Sequence, residues 1–65
     1  MESNWLYSDE RLKLREQCLG ILLRRFPSDS MSSNNQSIYE CAHDWVSQGN
    51  ATTSGIVAYY QAYYQ

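Results

Sequence analysis

The chain has 65 residues and a formal net charge of −2, so it forms one domain at most, and its 43% hydrophobic content is too high for a disordered chain. Its apolar runs are far shorter than the roughly 18 residues of a membrane span, and residues 1–10 lack the basic start and apolar core of a secretory signal. We therefore expect a small cytoplasmic domain, whose 14% aromatic and 18% charged residues suit a surface that a partner covers.

The first predicted helix covers residues 8–26 and follows an N-terminal arm of residues 1–7. Ser8 is a good N-cap residue, and the acidic first turn and basic last turn complement the helix dipole. Pro27 ends the helix because the residue before a proline avoids helical backbone angles. The apolar residues fill an arc of roughly 200°, which is wider than one neighbouring helix covers. We expect other helices or a second subunit to pack on both sides of this helix.

A second helix is predicted over residues 34–48, behind a polar, serine-rich linker of residues 27–33. Such a linker is either a plain connection or a modification site, and we favour the plain connection. One face of the helix is apolar and the other is polar, which is typical of a helix packed on one side. Gly49 is suited to end this helix in the left-handed conformation.

A third helix is predicted over residues 53–64, with Thr52 or Thr53 as its cap. β-branched and aromatic residues are mediocre helix formers, so a strand over residues 55–60 is the competing interpretation. Tyrosines four positions apart, such as Tyr59 and Tyr63, favour the helix because such pairs are neighbours on a helix surface.

These segments together predict an all-α, three-helix domain over residues 1–65 that is suited to form a helical homodimer. Trp5 of the arm is expected to close one end of the core. The remaining predicted core residues are Leu12, Leu19, Leu22, Leu23, Phe26, Ile38, Cys41, Trp45, Ile56, Tyr59 and Tyr63.

Residue types that carry catalysis or bind metals are sparse in this chain. It has two cysteines, Cys18 and Cys41, and a single histidine, His43. A helix points Cys41 and His43 in nearly opposite directions, and no CxxC pair or two-histidine spacing occurs. Both cysteines fall on apolar faces, where a thiol behaves as a small apolar side chain. We expect no enzyme activity, metal site, cofactor or small-molecule substrate.

The C-terminal tyrosines are the most unusual feature of the sequence. Four of the six tyrosines lie between positions 59 and 64. Tyrosine combines a large ring with a polar tip and is enriched at protein interfaces. Tyr60 and Tyr64 are expected to face outward. The predicted partner-binding residues are Tyr59, Tyr60, Tyr63 and Tyr64, together with Arg11 and Arg15 of the first helix.

The sequence therefore predicts a small non-enzymatic interaction module: a regulator, inhibitor or adaptor that binds a protein partner or a second copy of itself. The alternative is a helical nucleic-acid-binding domain, because all five basic residues lie on the first helix. The third helix has none, and contacts from Lys and Arg to phosphate supply much of the affinity for nucleic acid. Nucleic acid is therefore the less favoured partner.

Overall fold

The computed structural model describes residues 9–32 and 35–65, which form helices and contain no strand. This confirms the predicted all-α class and the helix, rather than the strand, near the C-terminus. The N-terminal arm, the cap at Ser8 and the contribution of Trp5 lie outside the described residues. The helices are α1 (Asp9–Arg25), α2 (Pro27–Ser30), α3 (Asn35–Ser47) and α4 (Ile56–Tyr63).

Helix α1 ends one residue earlier than predicted, for the expected reason. The amide of Phe26 still donates to the carbonyl of Leu22 at 2.8 Å, but Phe26 itself has φ −124° and ψ 67°, outside the helical region. Pro27 follows directly, and its ring disfavours helical angles at the residue before it. The proline thus separates α1 from the next turn of helix.

Within the predicted linker over residues 27–33, residues 27–30 form the single turn of α2. A proline is tolerated at the first position of a helix, where its missing amide hydrogen costs nothing. Ser30 donates its hydroxyl to the carbonyl of Pro27 at 2.9 Å, and Ser32 donates to that of Asp29 at 3.0 Å. The two serine hydroxyls therefore supply hydrogen bonds to carbonyl groups of this short helix.

Helix α3 returns along α1 and ends close to its predicted boundary. The guanidinium of Arg15, in the first half of α1, contacts His43 near the end of α3 at 3.0 Å, so the two helices are antiparallel. Gly49 has φ 95° and donates its amide to the carbonyl of Val46 at 3.0 Å. This confirms the left-handed glycine that ends the helix.

Helix α4 begins at Ile56 rather than at residue 53, because the preceding loop is held to α3. The indole nitrogen of Trp45 donates to the carbonyl of Thr52 at 2.8 Å. The side-chain amide of Asn50 donates to the carbonyl of Trp45, also at 2.8 Å. Gly55 then adopts φ 95° immediately before the helix, so the predicted caps at Thr52 or Thr53 are wrong.

The core lies where α1, α3 and α4 meet, and both cysteines are buried there as free thiols. Leu12 is 44% exposed and Tyr63 is 74% exposed, so their predicted places in the core are wrong. The side chain of Leu12 points about 120° away from that of Cys18, which is fully buried on the inner face of α1. Leu19, Leu23, Phe26, Trp45 and Tyr59 are partly buried against the core. The buried core consists of Leu14, Cys18, Leu22, Ile38, Cys41, Ala42, Val46, Ile56 and Tyr60.

Two glycines with the same backbone angle give a matched test of this loop. Gly49 and Gly55 both have φ 95°, but a Cβ on Gly55 would lie 3.1 Å from the Trp45 ring, whereas one on Gly49 has no neighbour within 4 Å. We expect Gly49→Ala to lower the free energy of unfolding by about 1 kcal/mol, the cost of a left-handed non-glycine residue. Gly55→Ala should cost distinctly more, because Trp45 must also move.

Urea unfolding of the two variants, followed by far-ultraviolet circular dichroism, measures this difference. Equal losses of stability would show that Trp45 gives way without cost and that its approach to Gly55 does not stabilise the fold.

Candidate interaction surface

Four aromatic side chains form a continuous group along α4 and the adjacent part of α3. We call Trp45, Tyr59, Tyr63 and Tyr64 the aromatic cluster. The ring of Tyr59 is central, with its centroid 5.4 Å from Trp45 and 5.0 Å from Tyr63. The ring of Tyr64 lies 5.9 Å away. The interplanar angles are 51°, 49° and 53°, tilted arrangements that suit the quadrupoles of aromatic rings.

A carboxylate on α3 holds two of these rings in place. The hydroxyls of Tyr59 and Tyr64 both donate to Oδ2 of Asp44, the second at 3.0 Å. The side-chain amide of Gln48 donates to the hydroxyl of Tyr59 at 2.6 Å. Because these contacts join α3 to α4, the orientations of both tyrosines are set by the fold.

These hydrogen bonds shift the pKa values of the groups that make them. The hydroxyl of Tyr59, followed by that of Tyr64, lowers the pKa of Asp44 because both donate to its charged form. The same bond to Asp44 raises the pKa of Tyr59. Burial, followed by the bond to Asp44, raises the pKa of Tyr64 to about 12. At neutral pH Tyr59 and Tyr64 therefore keep their hydroxyls protonated and share one negatively charged acceptor, Asp44.

Tyr60 lies in the core, so the expectation that it faces outward is wrong. Its side chain is 1% exposed, its ring centroid lies 4.8 Å from that of Phe26, and its hydroxyl donates to Asp29 at 2.7 Å. Helix α4 directs Ile56 and Tyr60, one turn apart, toward α1 and α3. Burial, with the bond to Asp29, raises the pKa of Tyr60 to about 12.

Tyr63 is the accessible part of the aromatic cluster. It is 74% exposed, whereas Trp45, Tyr59 and Tyr64 are half-buried. An exposed ring thus stands on a base of rings that are already packed. Partner binding by Tyr59, Tyr63 and Tyr64 stays a prediction. An exposed ring that packs on partly buried rings is a suitable surface for such binding.

The two predicted arginines do not join this surface. Arg11 is buried, with 6% of its side chain exposed. Arg15 donates from its guanidinium to Nδ1 of His43 at 3.0 Å, which makes Nδ1 the acceptor because a guanidinium has only donors. His43 and Asp44 are adjacent on α3, but their side chains diverge by about 100°. Arg15 therefore lies on a different side of α3 from the tyrosines.

The residue types with catalytic potential are placed unfavourably for chemistry. Cys18 and Cys41 are fully buried, and burial raises the pKa of both thiols, that of Cys41 to about 12, whereas a reactive cysteine needs its thiolate. Within residues 9–32 and 35–65, no three histidine, cysteine or acidic side chains are grouped to hold a metal ion.

Two open depressions of about 340 and 360 Å³ lie along α1, against the loop before α4. Glu10 and Lys13 line the first, and Glu16 and Arg24 line the second, so each carries charges of both signs. The rings of the aromatic cluster line neither of them.

Three residues at this surface escaped the sequence analysis. Asp44 and Gln48 belong to the polar face of the second predicted helix and Trp45 to the predicted core, so none of the three is among the predicted partner-binding residues. Asp44 and Gln48 are one helical turn apart, with Trp45 beside them. A polar pair at the edge of an apolar face, opposite a tyrosine-rich helix, is the signal that would have found them.

Within the part of the chain that the structure describes, no helix has the length and apolar character needed to cross a membrane. Comparisons with protein-family models, curated proteins and solved structures found no match. Function is therefore inferred from the residues of the surface itself.

Tyr60 and Tyr63 give a test of which tyrosines are structural. We expect Tyr60→Ser to lower the free energy of unfolding by about 3–5 kcal/mol, the usual cost of removing a buried aromatic ring. That is comparable with the total stability of a domain of this size, so the variant should be largely unfolded. Tyr63→Ser removes an exposed ring and should leave the helix content unchanged by circular dichroism. A folded Tyr60→Ser variant would contradict the burial of Tyr60.

Titration of the tyrosines tests the network around Asp44. Asp44→Asn should lower the pKa values of Tyr59 and Tyr64, because the charge that holds their protons is lost, and should leave Tyr60 unchanged. Asp29→Asn is the matched control and should affect Tyr60 alone. The NMR signals of the individual tyrosine rings, followed against pH, measure each pKa separately; a uniform shift of all the tyrosines would show that the two carboxylates act only through the overall charge.

These pKa shifts predict how the free energy of unfolding depends on pH. The pKa of Asp44 is lower in the folded chain, so its contribution is complete above the unfolded value of about 3.9 and falls as the pH drops below it. The pKa values of Tyr60 and Tyr64 are raised to about 12, so their contribution is complete below about pH 10 and is lost as the pH rises toward 12.

Proposed function

We propose that this chain is a small non-enzymatic interaction domain that binds a protein partner through the aromatic cluster and acts as a regulator, inhibitor or adaptor. One observation carries the proposal. The exposed ring of Tyr63 rests on Tyr59, whose hydroxyl is tied to Asp44 and Gln48. The surface is thus both accessible and already ordered.

Order in the free protein favours binding. Fixing a flexible side chain on association costs about 0.5–1.5 kcal/mol, and this cost is small for Tyr59 and Tyr64 because Asp44 already holds them. Tyrosine and tryptophan are also the residues most often found at the energetic centres of interfaces. A partner that covers Tyr63 would gain contact area with little loss of conformational freedom.

The distribution of basic residues favours a protein partner over nucleic acid. Arg11 is buried and Arg15 donates to His43, so two of the five basic side chains are engaged within the fold. The aromatic cluster lies beside a carboxylate, that of Asp44, which would repel phosphate. Nucleic-acid binding by α1 is therefore the weaker proposal.

Site-specific photo-crosslinking in cells that produce the chain tests this proposal. A benzophenone amino acid in place of Tyr63 should give a discrete protein adduct on irradiation. The same group in place of Lys13, an exposed position on α1, serves as the control and should not give that adduct. Asp44→Asn combined with the probe at position 63 should weaken the adduct several-fold, because the shared acceptor of Tyr59 and Tyr64 loses its charge and one of its two oxygens.

Mass spectrometry of the adduct identifies the partner and the site of contact. Equal adducts from positions 63 and 13, or none from position 63, would contradict the proposal. A nucleic-acid adduct from position 13 would favour the alternative.

A further inference from the structure

Charge is divided unevenly along this chain, and the aromatic cluster belongs to the part that contains no Lys or Arg. All five basic residues lie on α1, and residues 26–65 contain none. Those residues do contain three acidic side chains, which are Asp29, Glu40 and Asp44. Charged groups in an interface usually face groups of the opposite sign in the partner. The charge of this region therefore favours a basic partner.

Two carboxylates of α3 form a short acidic stripe, which consists of Glu40 and Asp44. Asp44 already accepts hydrogen bonds from two tyrosines and from Gln48, so it contributes its charge rather than a new hydrogen bond. Glu40 is exposed and lies one helical turn before Asp44, about 6 Å along the axis of α3. The side-chain amide of Gln36 donates to Oε2 of Glu40 at 3.2 Å.

Helix α4 brings the exposed ring of Tyr63 to the same side of the molecule. The hydroxyl of Tyr59 lies between Gln48 and Asp44. The hydroxyl of Tyr64, farther along α4, is bonded to Asp44, so α4 proceeds toward the first half of α3. Tyr63 lies one turn after Tyr59, on the same edge of α4, with ring centroids 5.0 Å apart. The aromatic cluster and the acidic stripe therefore share one surface.

We propose that the aromatic cluster binds a basic segment of the partner protein, with an arginine side chain stacked on Tyr63 beside the acidic stripe. This inference rests on the proposed function and states the chemistry of its partner. A guanidinium stacks on the face of an aromatic ring, and a nearby carboxylate adds to the attraction. Arginine is also enriched at protein interfaces, whereas lysine is depleted.

The spacing of the acidic stripe favours an extended segment with arginines at alternate positions. Side chains at alternate positions of an extended chain lie on one side, about 6.6 Å apart. This matches the roughly 6 Å between Asp44 and Glu40 along α3. One arginine then lies on Tyr63 near Asp44, and the next lies near Glu40.

Nuclear magnetic resonance of the isotope-labelled chain tests the proposal with a peptide blocked at both ends, Gly-Ser-Arg-Ser-Arg-Ser-Gly. The amide signals of residues 40–44 and 59–64 should shift as the peptide is added, and those of residues 9–13 should not. A contact of this size should have a dissociation constant of about 0.1–1 mM. Because the attraction is partly between exposed charges, added salt should weaken it.

Two further peptides separate this contact from other kinds of docking. Leucine in place of both arginines tests a purely apolar surface, and glutamate in their place tests the sign of the charge. The leucine peptide should bind about fivefold more weakly or worse, and the glutamate peptide should not bind. A leucine peptide that binds as tightly as the arginine peptide would overturn the inference, because the surface would then have no preference for charge.

Variants at position 63 test the role of the ring. Tyr63→Leu keeps an apolar side chain but removes the ring, and it should weaken binding of the arginine peptide about two- to fivefold, the effect of one exposed cation–π contact. Tyr63→Phe should bind nearly as tightly as wild type. Tyr39→Leu removes another exposed tyrosine, on α3, and is the matched control that should change nothing. Circular dichroism confirms that each variant is folded.

A matched pair of charge variants tests the acidic stripe. Glu40→Gln should weaken binding about twofold, as expected for one exposed ion pair. Glu10→Gln removes an exposed carboxylate at the start of α1 and should have no effect. Equal losses from the two variants would show that the peptide responds only to the overall charge of the chain, and would overturn the inference.

An arginine peptide that causes no shifts at millimolar concentration would also overturn this inference. The proposed function still stands in that case if the probe at position 63 crosslinks to a protein. A crosslinked segment that contains arginine supports the inference, and one without basic residues contradicts it. Failure of both the peptide and the crosslinking experiments would overturn both proposals.

Discussion

The burial of Tyr60 is the interaction on which the rest of this small fold depends. It is the largest fully buried side chain of the described residues, and it belongs to a helix of only eight residues. A helix that short is unstable alone in water. Packing of the Tyr60 ring on Phe26 attaches α4 to the end of α1, and the hydroxyl gains an acceptor in Asp29 of α2. One side chain thus connects three helices.

The orientation of Tyr60 also determines where the other tyrosines point. With Ile56 and Tyr60 facing inward, the next positions on α4 lie along the edge that faces α3. Tyr59 reaches Asp44 and Gln48 there, and Tyr63 is left exposed above it. The aromatic cluster is therefore a consequence of core packing: the same helical rotation that buries one tyrosine presents the others as an ordered surface.

The sequence predicted the helix ends that single residues determine. Pro27 marked the end of α1, and Gly49 marked the end of α3, because each acts through its own backbone. The late start of α4 depends on contacts outside that helix, such as the hydrogen bond from Trp45 to the carbonyl of Thr52. The amino-acid composition predicted a tyrosine-rich surface, but it did not predict which tyrosine is buried. Tyr59 with Tyr63 and Tyr60 with Tyr64 have the same spacing, and only the packing against α1 distinguishes them.

The chemical reactivity of the two thiols at the centre of this core depends on how often the chain opens. Cys18 and Cys41 are fully buried, and burial raises the pKa of both, so an oxidant or alkylating agent reaches them only during an opening event. In a domain of this size such events are comparatively frequent. The rate at which the thiols react would therefore report how often the fold opens, even while its folded surface is unchanged.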